Sequence, residues 1–298
     1  MVMIGSAGVL APGGWRPLRA LVWLAALCVL VVITFNAVAK AALWLLVTTG
    51  GLGSTGNAPA VSKLVAAMLG SIALVAAYWG AVRLRERRPV PELGLRHAPA
   101  ELLFGLGLGA ALMAAIVAAL WLPGWVSIDR GIVDHAALAL RDSIRSGVLE
   151  ELVLRLVIFR LLWRAFGVWP ALVVAALTFG ALHLANPDSG LFAAVCLIAG
   201  EGIGIALYLI TGRIWASIGM HAGWNFTQGW IFGAAVSGTT EIAGGPLVLH
   251  PVPGVPEMLS GGGFGPEASL AALVISLIAS AVFLARAWRR GNVVAVDQ

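Results

Sequence analysis

Residues 143–163 read SIRSGVLEELVLRLVIFRLLW. Most of this stretch is Leu, Val, Ile, Phe and Trp, apolar enough to cross a bilayer, yet Glu150, Glu151 and Arg155 lie near its centre. An ionisable side chain at mid-membrane costs roughly 2.5–3.5 kcal/mol on insertion scales. Positions four apart share a helix face, so Glu151 can pair with Arg155 and offset part of that cost. Glu150 is turned about 100° away by the helical period and has no such partner. An unpaired carboxylate in an apolar cavity suits the exchange of a proton with water. The competing reading is an amphipathic helix lying at the membrane interface, because the stretch from His135 to Arg145 is itself fairly polar.

The rest of the chain settles which kind of protein holds this segment. Of 298 residues, 60% are hydrophobic and 11% charged, against about 25% charged in soluble domains. Apolar runs of roughly 18 residues or more, the length of a membrane helix, recur at 18–40, 64–82, 100–121, 143–163, 168–185, 190–210, 214–235 and 268–287. Barrel strands would show short alternating segments instead. The expectation is an all-α, polytopic transmembrane helix bundle of about eight spans, forming one membrane domain over 1–298. The first run reads on to Val47 as a long or a broken helix.

The net charge of +5 gains meaning when mapped. Arg16 and Arg19, the cluster Arg83, Arg85, Arg87, Arg88 and Arg96, then Arg160, Arg164, Arg213, Arg286, Arg289 and Arg290 all fall on one side of an eight-span chain. The other side carries Lys40, Lys63, Arg130, Arg141 and Arg145. By the positive-inside rule both termini are cytoplasmic. The positive charge reads as topology, with the lipid bilayer as partner and no nucleic acid. Arginines number seventeen against two lysines, and Ala and Gly abound, which predicts a GC-rich prokaryote and its cell membrane.

Smaller features take structural readings. Cys28 and Cys196 are far apart in apolar runs and read as small buried hydrophobes. Trp121, Trp125 and Trp288 suit interfacial anchoring. Gly105, Gly107 and Gly109 lie in a bilayer span and read as close helix contact. The Gly- and Pro-rich loop 236–267, without Lys or Arg, reads as irregular and mobile. His135 and His250 read as solvated. The tail after Arg290 is short and shows no anchoring signal.

Two further spans carry polar residues. Phe179 and His183 share one helix face, as do His221 and Asn225. A lone membrane histidine is often satisfied by a backbone carbonyl; two histidines, an asparagine and a glutamate on three apolar helices form a site. Such a set can hold zinc, or can orient a water while the asparagine donates to an oxyanion. Neither histidine belongs to a His-Glu-x-x-His pair. Glu201 is a further intramembrane carboxylate, read as a helix–helix hydrogen-bonding group or a wall of the site.

The ordered set Glu150-Glu151…Arg155, Phe179…His183 and His221…Asn225 resembles the CPBP family of intramembrane proteases. That family includes Ras-type CAAX-processing endopeptidases, bacteriocin-processing and self-immunity proteins, and lysostaphin-resistance proteins. Gly204, Tyr208, Thr211-Gly212 and Ser217-Ile218 fall where its members often show a similar run. The resemblance covers about 135–235, the protease-like core. One departure is that family members commonly read Phe-Arg-Gly where this chain has Leu154-Arg155-Leu156, which bears on local packing.

The resemblance implies an intramembrane endopeptidase acting on a peptide or membrane-protein substrate. In it Glu150 and His183 activate the attacking water, and His221 with Asn225 serve the oxyanion or a metal. It points to zinc or another divalent ion on Glu150, His183 and His221, while a glutamate-activated water fits the same residues. Glu151, Arg155 and Phe179 are supporting residues. The rival readings are a proton-coupled transporter using the same buried groups, or a catalytically silent scaffold or immunity protein.

Overall fold

The computed structural model describes residues 7–50 and 54–291. The tail past 291 lies outside the described residues. The helices are α1 (Arg16–Thr49), α2 (Ala60–Ala81), α3 (Ala98–Trp121), α4 (Ala136–Glu151), α5 (Arg160–Phe166), α6 (Val168–His183), α7 (Leu191–Thr211), α8 (Trp215–Phe226), the short α9 (Glu257–Ser260) and α10 (Leu270–Arg289). A π-helical segment, Leu152–Phe159, joins α4 to α5 into one continuous rod, and another, Thr227–Ile231, prolongs α8. The result is an all-α bundle whose rods fall at the predicted positions. α1 is unbroken, and its 34 residues reach about 51 Å at 1.5 Å per residue. Among the described residues, five helices are long and apolar enough to cross a membrane: α1, α2 with its extension to Glu86, α3, α7 and α10. α6 is a shorter apolar helix.

Burial is arranged for lipid. Large apolar side chains such as Val22, Val29, Ile33, Leu103 and Val282 face outward, which water would penalise and hydrocarbon does not. α7 is the central rod, most of it enclosed by its neighbours. Since lipid tails are as apolar as leucine, helix association relies on close packing and polar contacts. α3 and α8 show the first. A Cβ on Gly105 would lie 2.3 Å from the Ala216 carbonyl oxygen, and one on Gly109 2.1 Å from that of Met220. Gly219 and Gly223 on α8 are crowded in return by the carbonyls of Leu102 and Leu106, each at 2.4 Å. Gly107 meets nothing within 4 Å, so the expected close contact holds for two of the three glycines.

Polar contacts lock the arginine-rich end. Arg160, expected to close its span as a topology charge, is instead fully buried and grips Glu86 with two bonds of 2.8 and 2.7 Å. Arg88 reaches Glu86 at 2.8 Å and Glu92 at 2.6 Å. Trp23 Nε1 donates to Glu86 at 2.9 Å and the Tyr78 hydroxyl to Glu92 at 2.7 Å. The charge map counted Arg88, Arg160 and Arg164 as topology cations because it ignored the acids that draw the first two inward; all three are buried.

Loop 236–267 also departs from expectation. Its strand β2 (Leu247–Pro251) pairs antiparallel with β1 (Val126–Arg130), in register Val126 with Pro251 and Ile128 with Leu249. Val236, Ile242, Leu249 and Phe264 are buried. Short apolar residues scattered among the glycines seat the loop on the bundle. His135 and His250 are about half exposed, as expected.

Because an unpaired buried charge is costly, Arg160→Met should destabilise the protein by about 3–5 kcal/mol, seen as a large fall in Tm in detergent. Arg213→Met breaks the part-exposed pair with Glu101 and should cost about 1 kcal/mol or less. Equal Tm values for the two variants would show that the buried lock contributes nothing special.

Candidate active site

The site is built where α4, its π extension, α6, α7 and α8 converge. α4 approaches α8 closely at Gly147, where a Cβ would stand 3.2 Å from the Ile218 carbonyl oxygen and 3.3 Å from the Ala222 methyl. That approach brings His221 between two consecutive carboxylates. Its Nδ1 is 2.8 Å from Glu151 Oε1, and its Nε2 is 3.8 Å from Glu150 Oε2. As a carboxylate accepts, Nδ1–H is the donor, which turns the Nε2 lone pair toward Glu150. Glu151 is buried, whereas the Glu150 side chain keeps 33% of its exposure. The two neighbours therefore divide into a holding group and a group open to the cavity.

Arg155 completes the holding set. Its Nε lies 2.9 Å from Glu151 Oε2, an ion pair by distance that lacks the alignment of a hydrogen bond. Its Nη2 lies 3.1 Å from Glu201 Oε2 on α7. All three side chains are almost wholly buried, so each charge needs its counter-charge. Gly204 makes the room: a Cβ there would fall 1.8 Å from Arg155 Nη2. The Ser217 hydroxyl donates to the Gly204 carbonyl at 2.9 Å, tying α8 to the same turn of α7. Gly212, at φ +67°, ends α7 in the left-handed conformation that favours glycine. The run Gly204, Tyr208, Thr211-Gly212, Ser217 thus supports the arginine and the turn into α8.

His183 ends α6, and its Nδ1–H donates to the Phe179 carbonyl at 2.8 Å, leaving Nε2 available. The Phe179 ring stands edge-on to both histidines, with centroids at 4.5 Å to His183 and 6.3 Å to His221. Asn225 Nδ2 donates to Ser146 Oγ at 2.9 Å, and that hydroxyl donates to the Asp142 carbonyl at 2.8 Å. This chain fixes the amide and leaves its second N–H free to donate. All seven residues singled out from sequence line one cavity of about 550 Å³.

The cavity also has walls that sequence reasoning assigned weakly or missed. Glu201, read as a helix–helix group or a wall, is both. Ser146, one helical turn before Glu150, gave a signal only through that spacing. Glu267 accepts from Ser237 N, Ser237 Oγ and Trp224 Nε1 at 2.6, 2.9 and 3.1 Å, and Ser237 and Glu267 line the cavity. Asn186 Nδ2 donates to the Ser237 carbonyl at 3.0 Å. Loop 236–267 is therefore a roof whose two ends are joined by Ser237 and Glu267 and which is tied to Trp224 of α8 and to Asn186 just past α6.

Both histidines have Nδ1 engaged by an acceptor, an arrangement shared by metal ligands and by water-orienting residues. Among the described residues, however, no three His, Cys, Asp or Glu side chains converge closely enough to hold a metal ion. Glu150 and His221 form a pair without a third ligand. The arrangement as it stands can hold and polarise a water beside an exposed carboxylate.

No curated protein and no solved structure matches the chain. Residues 132–227 match the family described as type II CAAX prenyl endopeptidase Rce1-like. The matched segment contains every one of the seven candidate residues and roofs none of them, since the loop lies beyond it. Over this segment, about a third of its length, the chain is similar to the CAAX protease family that its three motifs resemble.

Proposed function

We propose that the protein is an intramembrane endopeptidase that hydrolyses a peptide bond with a water activated by Glu150. The observation carrying this reading is the division of labour between adjacent carboxylates, Glu151 buried on Arg155 and His221, Glu150 open to the cavity. Glu150 takes a proton from a cavity water, and the resulting hydroxide attacks the substrate carbonyl carbon. His183 Nε2 accepts a hydrogen bond from the same water and orients it. Asn225 donates its free N–H to the carbonyl oxygen as negative charge develops there. The C–N bond then breaks, and Glu150 returns its proton to the departing amine. His221, held by Glu151, stands with its Nε2 3.8 Å from Glu150, where it faces the carboxyl group once that has taken the proton. The whole chain serves as one membrane domain around this core.

Glu150→Gln should keep Tm within a few degrees of the parent while lowering kcat by about 10²–10⁴-fold, the usual worth of a positioned base. Glu151→Gln removes the charge that Arg155 and His221 both use, and should lower yield and Tm along with activity. Full cleavage by Glu150→Gln in proteoliposomes would dismiss Glu150 as the base.

Metal dependence has its own measurement. With the donors arranged as a pair, activity should persist in a strong chelator, and purified active protein should carry well under one metal per chain by elemental analysis. Loss of activity in chelator with rescue by zinc would make Glu150, His183 and His221 ligands and move the base elsewhere.

We infer further that the termini are cytoplasmic and that the cavity opens toward the exterior. Its roof residues Asn186, Ser237 and Thr239 lie at the arginine-poor end of the helices. A reporter inserted after Arg88 should register as cytoplasmic and one in loop 236–267 as exterior; the reverse result overturns the orientation.

A further inference from the structure

The cations of the arginine-poor end are few, and the fold gathers them. Four of the five named above, Lys40, Lys63, Arg141 and Arg145, line one cavity of about 410 Å³ between α1, α2 and α4. Lys40 and Lys63 are the only lysines in the chain. Two acids, Asp142 and Glu241, share the lining. They occupy Arg141, which reaches Glu241 at 3.4 Å and also pairs with Asp142, and Arg145, 3.6 Å from Asp142. Among the described residues Lys63 donates only to the Gly56 carbonyl, at 3.3 Å. Lys40 has no partner among the described residues. Two positive charges are thus left without counter-charge in a recess.

The recess has an apolar floor. α1 and α2 close on each other at Gly70, where a Cβ would meet Ala39 at 3.0 Å and Phe35 at 3.1 Å. Beyond that point Phe35, Ala39, Leu43 and Ala66 line the space. Lys40 stands roughly 36 Å past Arg16 at 1.5 Å per residue, just beyond a hydrocarbon core of about 30 Å. The cationic mouth therefore sits at headgroup depth, and Phe35, about 28 Å past Arg16 by the same measure, lies below it at acyl depth. The outer face of α1 at that depth, with Val29 and Ile33 exposed, runs into lipid. Topology alone would disfavour cations at this end, so their convergence on one recess calls for an anionic occupant.

We propose that this recess binds one anionic phospholipid, with its phosphate on Lys40 and Lys63 and an acyl chain passing Ala39 down to Phe35. A free phosphate would satisfy the lysines but leave the apolar floor unused. The recess borders the catalytic cavity, with which it shares Asp142, Arg145 and Glu241. The bound lipid forms part of the wall beside the substrate's approach. The lipid site stands on its own geometry and does not depend on the protease reading.

The test uses the full chain, delipidated in detergent and offered phosphatidylglycerol or phosphatidylcholine, with retained lipid counted by native mass spectrometry. The parent should retain one phosphatidylglycerol in preference to phosphatidylcholine. Lys40→Gln/Lys63→Gln should lose that preference by about 10-fold or more, the order expected for two cations beside an anionic headgroup. Arg83→Gln/Arg85→Gln, exposed at the opposite end, should retain it. If the double lysine variant does not fold by its Tm, Lys40→Gln alone carries the comparison, since that side chain is exposed and unpartnered. No preference in the parent, preference surviving the lysine changes, or preference lost in the arginine control would each overturn the site. So would inorganic phosphate raising Tm as well as the lipid does. Unchanged lipid retention with a raised KM for peptides ending in a free carboxylate would make the recess a substrate subsite instead.

Discussion

A single buried guanidinium sets the terms for the site. Arg155 is enclosed on all sides, and an uncompensated charge there would cost several kcal/mol. Its own helix supplies one carboxylate, Glu151, and the central helix supplies another, Glu201. Gly204 gives up its side chain so that the guanidinium can lie against α7. Once Glu151 spends one oxygen on Arg155, the other is fixed in space and accepts from His221 Nδ1. The histidine's remaining nitrogen is thereby aimed at Glu150. Position, tautomer and division of roles all follow from neutralising one cation.

Specificity of packing comes from two devices at different places in the bundle. Between α3 and α8, reciprocal glycines let backbones meet at distances that no larger residue permits, which holds the helix carrying His221 and Asn225. At the arginine-rich end, Glu86, Arg88, Glu92 and Arg160 tie α2, the loop after it and α5 together. The first reaches the cavity, since Met220 and Trp224, the backbone partners of Gly109, line it; the second lies away from it. The first fixes the rotation of α8, and the second anchors the far end of the rod that carries Glu150 and Glu151.

Much of this was legible in the sequence, for physical reasons. Apolar runs of membrane length have one stable outcome, since backbone groups in lipid must be satisfied within the helix. Glu151 with Arg155 was legible because helical spacing alone brings them together. Glu201 was not assignable, because its partner lies on another helix and sequence spacing carries no information across helices. Arg160 was misread for the same reason: its counter-charge, Glu86, is far away in sequence, so the residue looked like an ordinary flanking cation. The order in loop 236–267 was hidden because Gly and Pro signal irregular backbone, while the buried Val236, Ile242 and Phe264 that anchor it follow no period.

The π-helical segment Leu152–Phe159 separates the two halves of the rod that carries both the site and the lock. Within an α-helix each residue advances by about 100°, so adding or removing one residue rotates everything beyond it by nearly a third of a turn. Upstream, Glu150 and Glu151 must face α8; downstream, Arg160 must face Glu86. The wider winding between them supplies a phase offset that lets both demands be met on one unbroken rod. Shortening that segment by a single residue would leave every motif intact on paper and yet point the cavity-lining half and the anchored half in incompatible directions. Spacing between Arg155 and Arg160 is thus as much a part of the site's definition as the identity of either residue.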